Sequence, residues 1–361
     1  MTARIDVLIP AYNVAATVRE AVDSMRKQTL RDIRIIVVDD GSTDATPSIL
    51  AELAREDERI SVLTKTNGGI VETLNEGLKH CRAEFIARFD ADDVSYPDRF
   101  ERQLAYLDAH PECVAVGGAV AHMDEKGAPL PGLPQSGDPM LADAAKAPAL
   151  EPYIIHPFLM ARRAAIEAIG GYRYVPNSED SDLFWRLLER GSLVNLPDVL
   201  GRYRVHTASI SSSIVSGRVM AIGSQLGALS ALRRRAGKED IRFDAALPAA
   251  LKAANTLEAM LNVAAPLLDQ DEHEHLRIAA AAKLMELSRY RPYELDQSDC
   301  AFIRAALPLA ARLTPANQSE VDWYVSVTAA RLLRKGKWRE ALTLAPPSAL
   351  PKAAARMLLQ R

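Results

Sequence analysis

The stretch EFIARFDADD, residues 84–93, joins a short apolar run to the three carboxylates of Asp90, Asp92 and Asp93. Like charges at such close spacing repel and raise one another's pKa unless a cation lies between them. Oxygen ligands with no Cys or His nearby favour Mg²⁺ or Mn²⁺ over Zn²⁺. The stretch therefore predicts a strand that ends in a divalent metal site, and such metals usually hold a diphosphate. The alternative is an acidic loop that caps a helix starting near Pro97.

Outward from this stretch, short β-branched runs alternate with helical patterns, which predicts an α/β fold with a largely parallel sheet. The predicted strands cover residues 5–9, 34–38, 59–64, 84–89 and 199–205. The predicted helices cover residues 15–28, 70–80, 162–169 and 179–190. A further helix is predicted to open with Thr46 as N-cap and Pro47 at the first helical position. Polar clusters follow the first four strands, and open α/β sheets bind ligands at that end of their strands.

The length of 361 residues suggests two domains. With 48% hydrophobic residues, 25% charged residues and a formal net charge of −3, the composition is ordinary for a soluble globular protein and does not indicate nucleic-acid binding. The three cysteines form no disulfide or zinc pattern, and the first residues lack the apolar core of a signal peptide, so we expect a cytoplasmic protein. The apolar residues 245–268 are interrupted by polar ones, which predicts one buried helix instead of a membrane span.

After residue 212 the chain becomes rich in Ala and Leu with helical spacing and few strand signals. We predict an α/β domain over residues 1–212, followed by an all-helical domain of five to seven helices over residues 213–361. Three consecutive arginines, 233–235, favour the end of a helix, where positive charge suits the helix dipole. The alternative is contact with anionic lipid near a membrane-bound acceptor.

Several nucleotide-binding motifs are absent from the sequence. No Gly-x-Gly-x-x-Gly follows the first strand, which disfavours a dinucleotide-dependent dehydrogenase. Neither a Walker lysine loop nor a Gly-x-Ser-x-Gly nucleophile elbow occurs. Recognition of a pyrophosphate would therefore depend on a metal ion and side chains.

Four sequence motifs occur in order, each after a predicted strand: VLIPAYN (7–13), VVDDGSTD (37–44), NGG (67–69) with LNEG (74–77), and DADD (90–93) with PDR (97–99). Together they resemble the ordered motifs of glycosyltransferase family 2, over roughly residues 4–210. The resemblance implies the GT-A fold, a Rossmann-like and mostly parallel sheet with flanking helices. It also implies transfer of a sugar from a nucleotide-sugar donor with inversion at the anomeric carbon.

The resemblance assigns the nucleotide to the polar clusters at the strand ends. Asp39 would accept from the nucleobase, most naturally from the imino N–H of uracil. The implied nucleotide-binding residues are Pro10, Ala11, Tyr12, Asp39, Asp40, Asn67, Gly68 and Asp90. For Asp39 and Asp40, the alternative is an Asx-turn that ends a strand.

The resemblance assigns the metal to the acidic stretch. Asp90 and Asp92 fill the family's Asp-x-Asp positions, with Asp92 as the direct ligand and Asp93 as a contact to the sugar or the metal. His206 lies in a segment, 203–211, that resembles the end of the family's catalytic domain, and it is a third candidate ligand; the alternative is an ordinary surface histidine. Mn²⁺ or Mg²⁺ would neutralise the leaving diphosphate as its negative charge grows.

An inverting transfer needs one base that deprotonates the acceptor hydroxyl opposite the leaving group. Residues 178–187, SEDSDLFWRL, resemble the family's Glu-Asp motif at the start of a helix. Asp180 is the implied base, Glu179 would orient it or bind the acceptor, and Asp182 is the reserve. The alternative is that these carboxylates simply cap the helix. His156, which precedes the predicted acceptor-side strand near residues 157–161, is a further candidate contact to the acceptor.

One departure from the family pattern concerns position 74. Many members carry a basic residue before the asparagine that matches Asn75, whereas this chain has Leu74. Lys65 and Arg99 are candidates to supply the missing contact with the diphosphate. The Gln-x-x-Arg-Trp motif and membrane helices of the processive members do not occur, so we expect transfer of a single sugar.

The expected function is metal-dependent transfer from a nucleotide sugar, with a UDP-sugar as the expected donor, to a saccharide or lipid-linked saccharide in cell-surface polysaccharide synthesis. Peripheral binding would place the protein at the inner face of the membrane, and the helical tail would dimerise, bind a partner enzyme or shape the acceptor site. Two other enzyme classes fit less well: a nucleotidyltransferase needs a glycine- and arginine-rich loop after the first strand, and a haloacid-dehalogenase phosphatase carries its Asp-x-Asp after the first strand. A non-catalytic sugar-nucleotide-binding or scaffold protein with the GT-A fold is the remaining alternative. Every expected acidic position is filled, which favours the enzyme.

Overall fold

A computed structural model describes residues 3–132, 137–206, 213–346 and 356 of the chain. Its strands are β1 (Ile5–Ala11), β2 (Ile33–Asp39), β3 (Ile60–Thr64), β4 (Phe85–Arg88), β5 (Val94–Ser95), β6 (Cys113–Met123), β7 (Met160–Arg162) and β8 (Ser192–Arg204). These strands form one sheet in the order β3-β2-β1-β4-β7-β6-β8-β5.

Four neighbouring strands of the sheet run parallel. Strands β1 and β2 are rich in isoleucine and valine, and nearly all their residues are buried, as in a central strand covered on both faces. Strand β1 lies between β2 and β4 and is parallel to both, and β3 continues the parallel set beyond β2. This part of the sheet confirms the predicted parallel α/β architecture.

The other half of the sheet departs from the sequence prediction. Strand β7 is antiparallel to both β4 and β6, and β6 pairs in parallel with the 13-residue β8, only the end of which was predicted. The 11-residue β6 was missed altogether. Its sequence, CVAVGGAVAHM, holds many Ala and Gly residues, which have low strand propensity, so its strand character depends on burial between neighbours.

The helices that flank the sheet in sequence are α1 (Val18–Arg26), α2 (Thr46–Glu56), α3 (Ile70–His80), α4 (Arg99–Ala109), α5 (Arg163–Ala168) and α6 (Glu179–Leu188). Helices α1, α3, α5 and α6 agree with the predicted helices to within three residues at both ends, and α2 begins at Thr46. The predicted N-cap role of Thr46 is wrong. Instead, Asp44 Oδ1 accepts from the Thr46 N–H at 2.9 Å, and Thr46 Oγ1 accepts from the Val14 N–H at 2.9 Å. Thr46 thus ties the helix start to the segment after β1.

Between residues 213 and 346 the described chain is helical, with α7 (Ile214–Arg235), α8 (Leu247–Ala254), α9 (Leu257–Ala264), α10 (Gln270–Leu287), α11 (Gln297–Ala306), α12 (Pro315–Arg334) and α13 (Trp338–Leu344). This confirms the predicted helical C-terminal region. The prediction of one helix over residues 245–268 is wrong, because Asn255 adopts a φ of 60° and ends α8, and Thr256 then caps α9. Of the helices in the described residues, none is both long and apolar enough to cross a membrane.

The chain forms two compact units, each with its own hydrophobic core. The first unit contains the sheet and comprises Met1–Leu141, Pro152–Arg173 and Leu183–Thr207. The second unit contains α7 to α13 and comprises Ala142–Glu151, Tyr174–Asp182 and Ala208–Arg361. Residues 207–212, 347–355 and 357–361 lie outside the described residues. The first of these ranges borders the predicted domain boundary and includes most of the predicted 203–211 segment.

A buried carboxylate ties β1 to its neighbours at the amino end of the parallel strands. Asp6 is fully buried, and its oxygens accept from Arg34 Nε at 2.7 Å and Arg34 Nη2 at 2.9 Å. Asp6 Oδ2 also accepts from the backbone N–H groups of Arg82 and Ala83, just before β4. One side chain therefore links β1, β2 and the entry to β4.

Replacing Asp6 with Ala should lower the free energy of unfolding by about 3 kcal/mol, because the fully buried carboxylate that accepts from Arg34 and from two backbone N–H groups is lost. Urea unfolding followed by circular dichroism measures this loss. The control is Asp108→Ala, which removes an exposed pair with Arg4 and should cost less than about 1 kcal/mol. Equal losses in the two variants would contradict the linking role of Asp6.

Candidate active site

Polar residues gather where β1, β2 and β4 end. The register pairs Ala11 with Asp39 and Leu8 with Arg88, so the acidic residues that follow β2 and β4 lie on either side of the end of β1. Ala11 is buried and Pro10 is half-buried at this edge. Parallel strands thus bring together residues that lie far apart in the sequence, as the strand-end rule predicts.

The segment after β1 is joined to the segment after β2 by side chains. Asn13 Oδ1 accepts from the Thr43 N–H at 2.8 Å, and the Asn13 N–H donates to Ser42 Oγ at 2.9 Å. Asp39 is buried, and its Oδ1 accepts from the Ser42 N–H at 3.2 Å. This is the contact of an Asx-turn, which is the alternative to nucleotide binding by Asp39 that the sequence allows. Beside these buried groups, Tyr12 leaves 50% of its surface exposed. An aromatic ring is therefore presented to solvent at the strand edge.

The Asp40 carboxylate holds the loop that follows β3. Its Oδ1 accepts from Lys65 Nζ at 2.7 Å and from the Gly68 N–H at 2.9 Å, and its Oδ2 accepts from the Gly69 N–H at 2.9 Å. Asn67 and Gly68 are exposed on this loop. Both Asp40 oxygens and the Lys65 ammonium are thus engaged in fixing the loop's shape.

Gly41 lets these two loops approach closely. Its φ of 73° lies in the left-handed region that favours glycine. A β-carbon at this position would lie 2.9 Å from the Asn67 backbone nitrogen and 3.1 Å from the Lys65 carbonyl oxygen. Since those are backbone atoms, no rotamer change could make room for it.

The three carboxylates of the acidic stretch converge after β4. Asp90, Asp92 and Asp93 each offer one oxygen, and these oxygens lie within 4.8 Å of one another. Asp93 is only 1% exposed, and its Oδ1 accepts from the Arg204 N–H at 2.8 Å. Its Oδ2 is buried and accepts no hydrogen bond from the part of the chain that the structure describes. The alternative of a simple capping loop does not account for that buried oxygen.

Electrostatics at this cluster favour a bound cation. Burial raises the pKa of Asp90, and burial together with the charges of Asp90 and Asp92 raises the pKa of Asp93 well above its usual range. A divalent ion would relieve this repulsion and give the buried Asp93 oxygen a partner. The set of oxygen donors therefore fits Mg²⁺ or Mn²⁺.

Basic side chains orient two of the three acids. Arg88 Nη2 lies 2.6 Å from Asp90 Oδ1, and His206 Nε2 lies 2.8 Å from Asp92 Oδ2. Arg204 Nε donates to the Asp92 carbonyl at 2.7 Å. The sequence prediction brought His206 to this cluster but missed Arg88 and Arg204. The signal for Arg88 was a charged residue within the apolar run 85–89, two residues before Asp90.

Comparison with known proteins agrees with this geometry. The profile of glycosyl transferase family 2 matches residues 6–170. The putative glycosyltransferase EpsE of Bacillus subtilis (strain 168) is 33% identical over 216 residues, which are 56% of this chain and 73% of EpsE. The chain belongs to glycosyltransferase family 2. The amylovoran biosynthesis glycosyltransferase AmsE of Erwinia amylovora is 32% identical over 203 residues, covering 55% of this glycosyltransferase and 75% of AmsE.

Solved structures show the same fold. The mannosyltransferase PcManGT from Pyrobaculum calidifontis, solved with GDP-Man and Mn²⁺, superposes with a TM-score of 0.54 at 19% identity, covering 100% of this chain and 88% of its own. Residues 1–349 of TarS from S. aureus, solved with UDP, superpose with a TM-score of 0.51 at 20% identity, covering 93% of this chain and 92% of that one. At these identities the likeness establishes the GT-A fold of this family 2 glycosyltransferase.

His156, a predicted acceptor contact, lies in the turn His156–Phe158 of the glycosyltransferase and is buried. Its Nε2 lies 2.8 Å from the Tyr172 hydroxyl, and burial and the Arg88 charge lower its pKa well below the usual range. Asn75, from the LNEG motif, holds the Tyr172 backbone, donating to its carbonyl and accepting from its N–H, both at 2.9 Å. This motif residue therefore serves the architecture around His156.

Arg99 is not available to a diphosphate. It is fully buried, stacks between the rings of Phe89, Phe100 and Phe158, and donates to the carbonyl of Arg88 at 3.0 Å. Burial lowers its pKa to about 9. The expectation that Arg99 replaces the missing basic residue of the family is therefore wrong.

The predicted catalytic acids of this family 2 enzyme lie in the first turn of α6, within the segment that belongs to the second compact unit. Asp180 Oδ1 accepts from the Ser181 N–H at 2.7 Å, and the Asp182 N–H donates to the Ser178 carbonyl at 3.0 Å. Asp182 is fully buried, whereas Glu179 and Asp180 are half-buried. The catalytic roles of these residues stay predictions.

Replacing Asp92 with Asn should weaken Mn²⁺ binding in the presence of UDP by at least about tenfold, because one charged oxygen donor of the cluster is lost. Electron paramagnetic resonance of free Mn²⁺ during titration measures the affinity. Asp98→Asn, which alters an acid paired with Arg102 on the surface, should bind Mn²⁺ like the parent protein. Equal Mn²⁺ affinities for both variants would rule out Asp92 as a ligand.

Proposed function

We propose that this glycosyltransferase moves one sugar from a nucleotide-sugar donor to an acceptor hydroxyl, with inversion and with the help of Mn²⁺ or Mg²⁺. The observation that carries the proposal is the convergence of Asp90, Asp92 and Asp93 within 4.8 Å at the end of β4. A divalent ion held there would supply positive charge to the leaving diphosphate. The Mn²⁺ in the mannosyltransferase PcManGT supports the same choice of ion.

The roles of the chain's own residues follow from their charges. Asp92 and His206 are the proposed direct ligands. Arg88, paired with Asp90, opposes the effect of burial on that carboxylate and orients it for the metal or the nucleotide. Asp93, buried beside them, is the proposed contact to the ion or the donor sugar. The Arg88 guanidinium offsets part of the acidic charge of the cluster.

The nucleoside is proposed to bind at the ends of β1 and β2. The exposed Tyr12 ring offers a stacking surface, and Asp39 offers an oxygen acceptor for an imino N–H, which suits uracil. Asp40 acts on the nucleotide indirectly, by holding Asn67 and Gly68 in place. UDP-GlcNAc, seen bound to TarS, and GDP-Man, seen bound to PcManGT, are the two donors to compare first.

The acceptor is proposed to be a saccharide or lipid-linked saccharide of a cell-surface polysaccharide, at the cytoplasmic face of the membrane. The name of AmsE, an amylovoran biosynthesis glycosyltransferase, supports this class of acceptor. Asp180 is the proposed base for the acceptor hydroxyl, with Glu179 beside it and Asp182 in reserve. A carboxylate base contributes typically about 10²- to 10⁴-fold to such a step.

The first experiment compares thermal stabilisation by UDP-GlcNAc and by GDP-Man, each with Mn²⁺, and then follows nucleotide release from the better donor. Asp180→Asn should lower turnover by at least about 100-fold, because an amide cannot take the proton. Its affinity for UDP, measured by calorimetry with Mn²⁺, should match that of the parent protein.

The matched control is Asp322→Asn, an exposed acid on α12, which should keep full turnover. Parental turnover in Asp180→Asn would remove Asp180 from the mechanism. Absence of any Mn²⁺-dependent nucleotide binding in the parent protein would overturn the proposed function as a whole.

A further inference from the structure

The turn that carries the proposed base is packed against a helix of its own compact unit. Gly223 of α7 lies so close to Pro176 that a β-carbon at Gly223 would fall 1.9 Å from the Pro176 carbonyl oxygen. Beside it, Asn177 adopts a φ of 51°, and its Nδ2 donates to the Ser216 carbonyl at 3.4 Å. The backbone leading into α6 is therefore shaped directly by α7.

A chain of largely buried polar contacts continues from this turn to α10. Ser181 Oγ donates to Glu151 Oε2 at 2.6 Å, and Glu151 Oε1 lies 2.6 Å from Lys283 Nζ. Lys283 Nζ also lies 3.0 Å from Glu286 Oε2 on the same helix. Residue 181, next to the proposed base, is thus connected to the middle of the helical unit.

This network is costly to bury. Lys283 is 8% exposed, and its sequence neighbours in α10, from Ala279 to Met285, are all buried. Burial opposes its charge, but Glu151 and Glu286 outweigh that effect and raise its pKa. Buried ion pairs of this kind seldom stabilise a fold more than apolar residues of the same volume would. A gain in folding stability therefore explains this buried network poorly, whereas a need to hold the turn before α6 in one position explains it well.

We propose that the helical unit positions the catalytic base, with Glu151 and Lys283 as positioning residues that act through Ser181 on Asp180. This inference rests on the proposed function. Successive residues of an α-helix point about 100° apart, since there are 3.6 residues per turn. Anchoring the Ser181 side chain therefore fixes the rotation of the first turn of α6, and with it the direction of the Asp180 side chain.

The test is Ser181→Ala, which removes one hydrogen bond and leaves the Glu151–Lys283 pair intact. Turnover should fall by about tenfold or more, because small misplacements of a catalytic group are costly in rate. UDP affinity with Mn²⁺ and the KM for the donor should change by less than about twofold. The control is Ser288→Ala in the same unit. Ser288 is buried, and its hydroxyl donates to the Met285 carbonyl within its own helix turn, so turnover should stay at the parental value.

A second variant separates positioning from packing. Glu151→Gln keeps an oxygen that accepts from Ser181, so it should lose less turnover than Ser181→Ala. The double variant Ser181→Ala/Glu151→Gln should lose no more than Ser181→Ala alone, because both changes act through the same bond. Additive losses of turnover, or a parental turnover in Ser181→Ala, would overturn the inference.

The outcomes also distinguish this inference from the proposed function. If Asp180→Asn keeps its turnover, the proposed base is wrong whatever Ser181→Ala does. If Asp180→Asn loses turnover while Ser181→Ala behaves like Ser288→Ala, the base stands and the positioning role of the helical unit is wrong.

Discussion

Repulsion among carboxylates at the end of β4 is the constraint on which the first unit depends. Asp90, Asp92 and Asp93 lie too close together to stay ionised without positive charge nearby. The Arg88 guanidinium supplies part of that charge to Asp90, and His206 contacts Asp92. A metal ion held by the three acids would supply the remainder.

The parallel half of the sheet was predictable because its strands carry their own signals. Buried isoleucine and valine in β1 and β2 favour strands whatever surrounds them, and the acidic and glycine-rich segments mark their ends. Strand β6 was not predictable, since its Ala- and Gly-rich sequence becomes a strand only between β7 and β8. The local sequence pattern therefore predicted a strand correctly where the intrinsic strand propensity and the tertiary surroundings favour the same structure.

The candidate active site likewise has a part that the sequence predicted and a part that it did not. The spacing of Asp90 and Asp92 and the chemistry of oxygen ligands pointed to a metal cluster without knowledge of the fold. The hydrogen-bond partners of these residues could not be predicted from the sequence. Asp40, whose role at the nucleotide stays a prediction, accepts from Lys65 and from the loop after β3. Arg99, a candidate for contact with the diphosphate, is fully buried. Such assignments depend on distances between segments that are remote in sequence.

The close approach at Gly41 has a consequence for engineering. A library of variants in the loops after β1 and β2 can include exposed positions such as Tyr12, but a side chain at residue 41 would force the backbone of these loops apart. Since the obstacle is backbone and not side chain, no compensating substitution at Asn67 or Lys65 would restore the lost space.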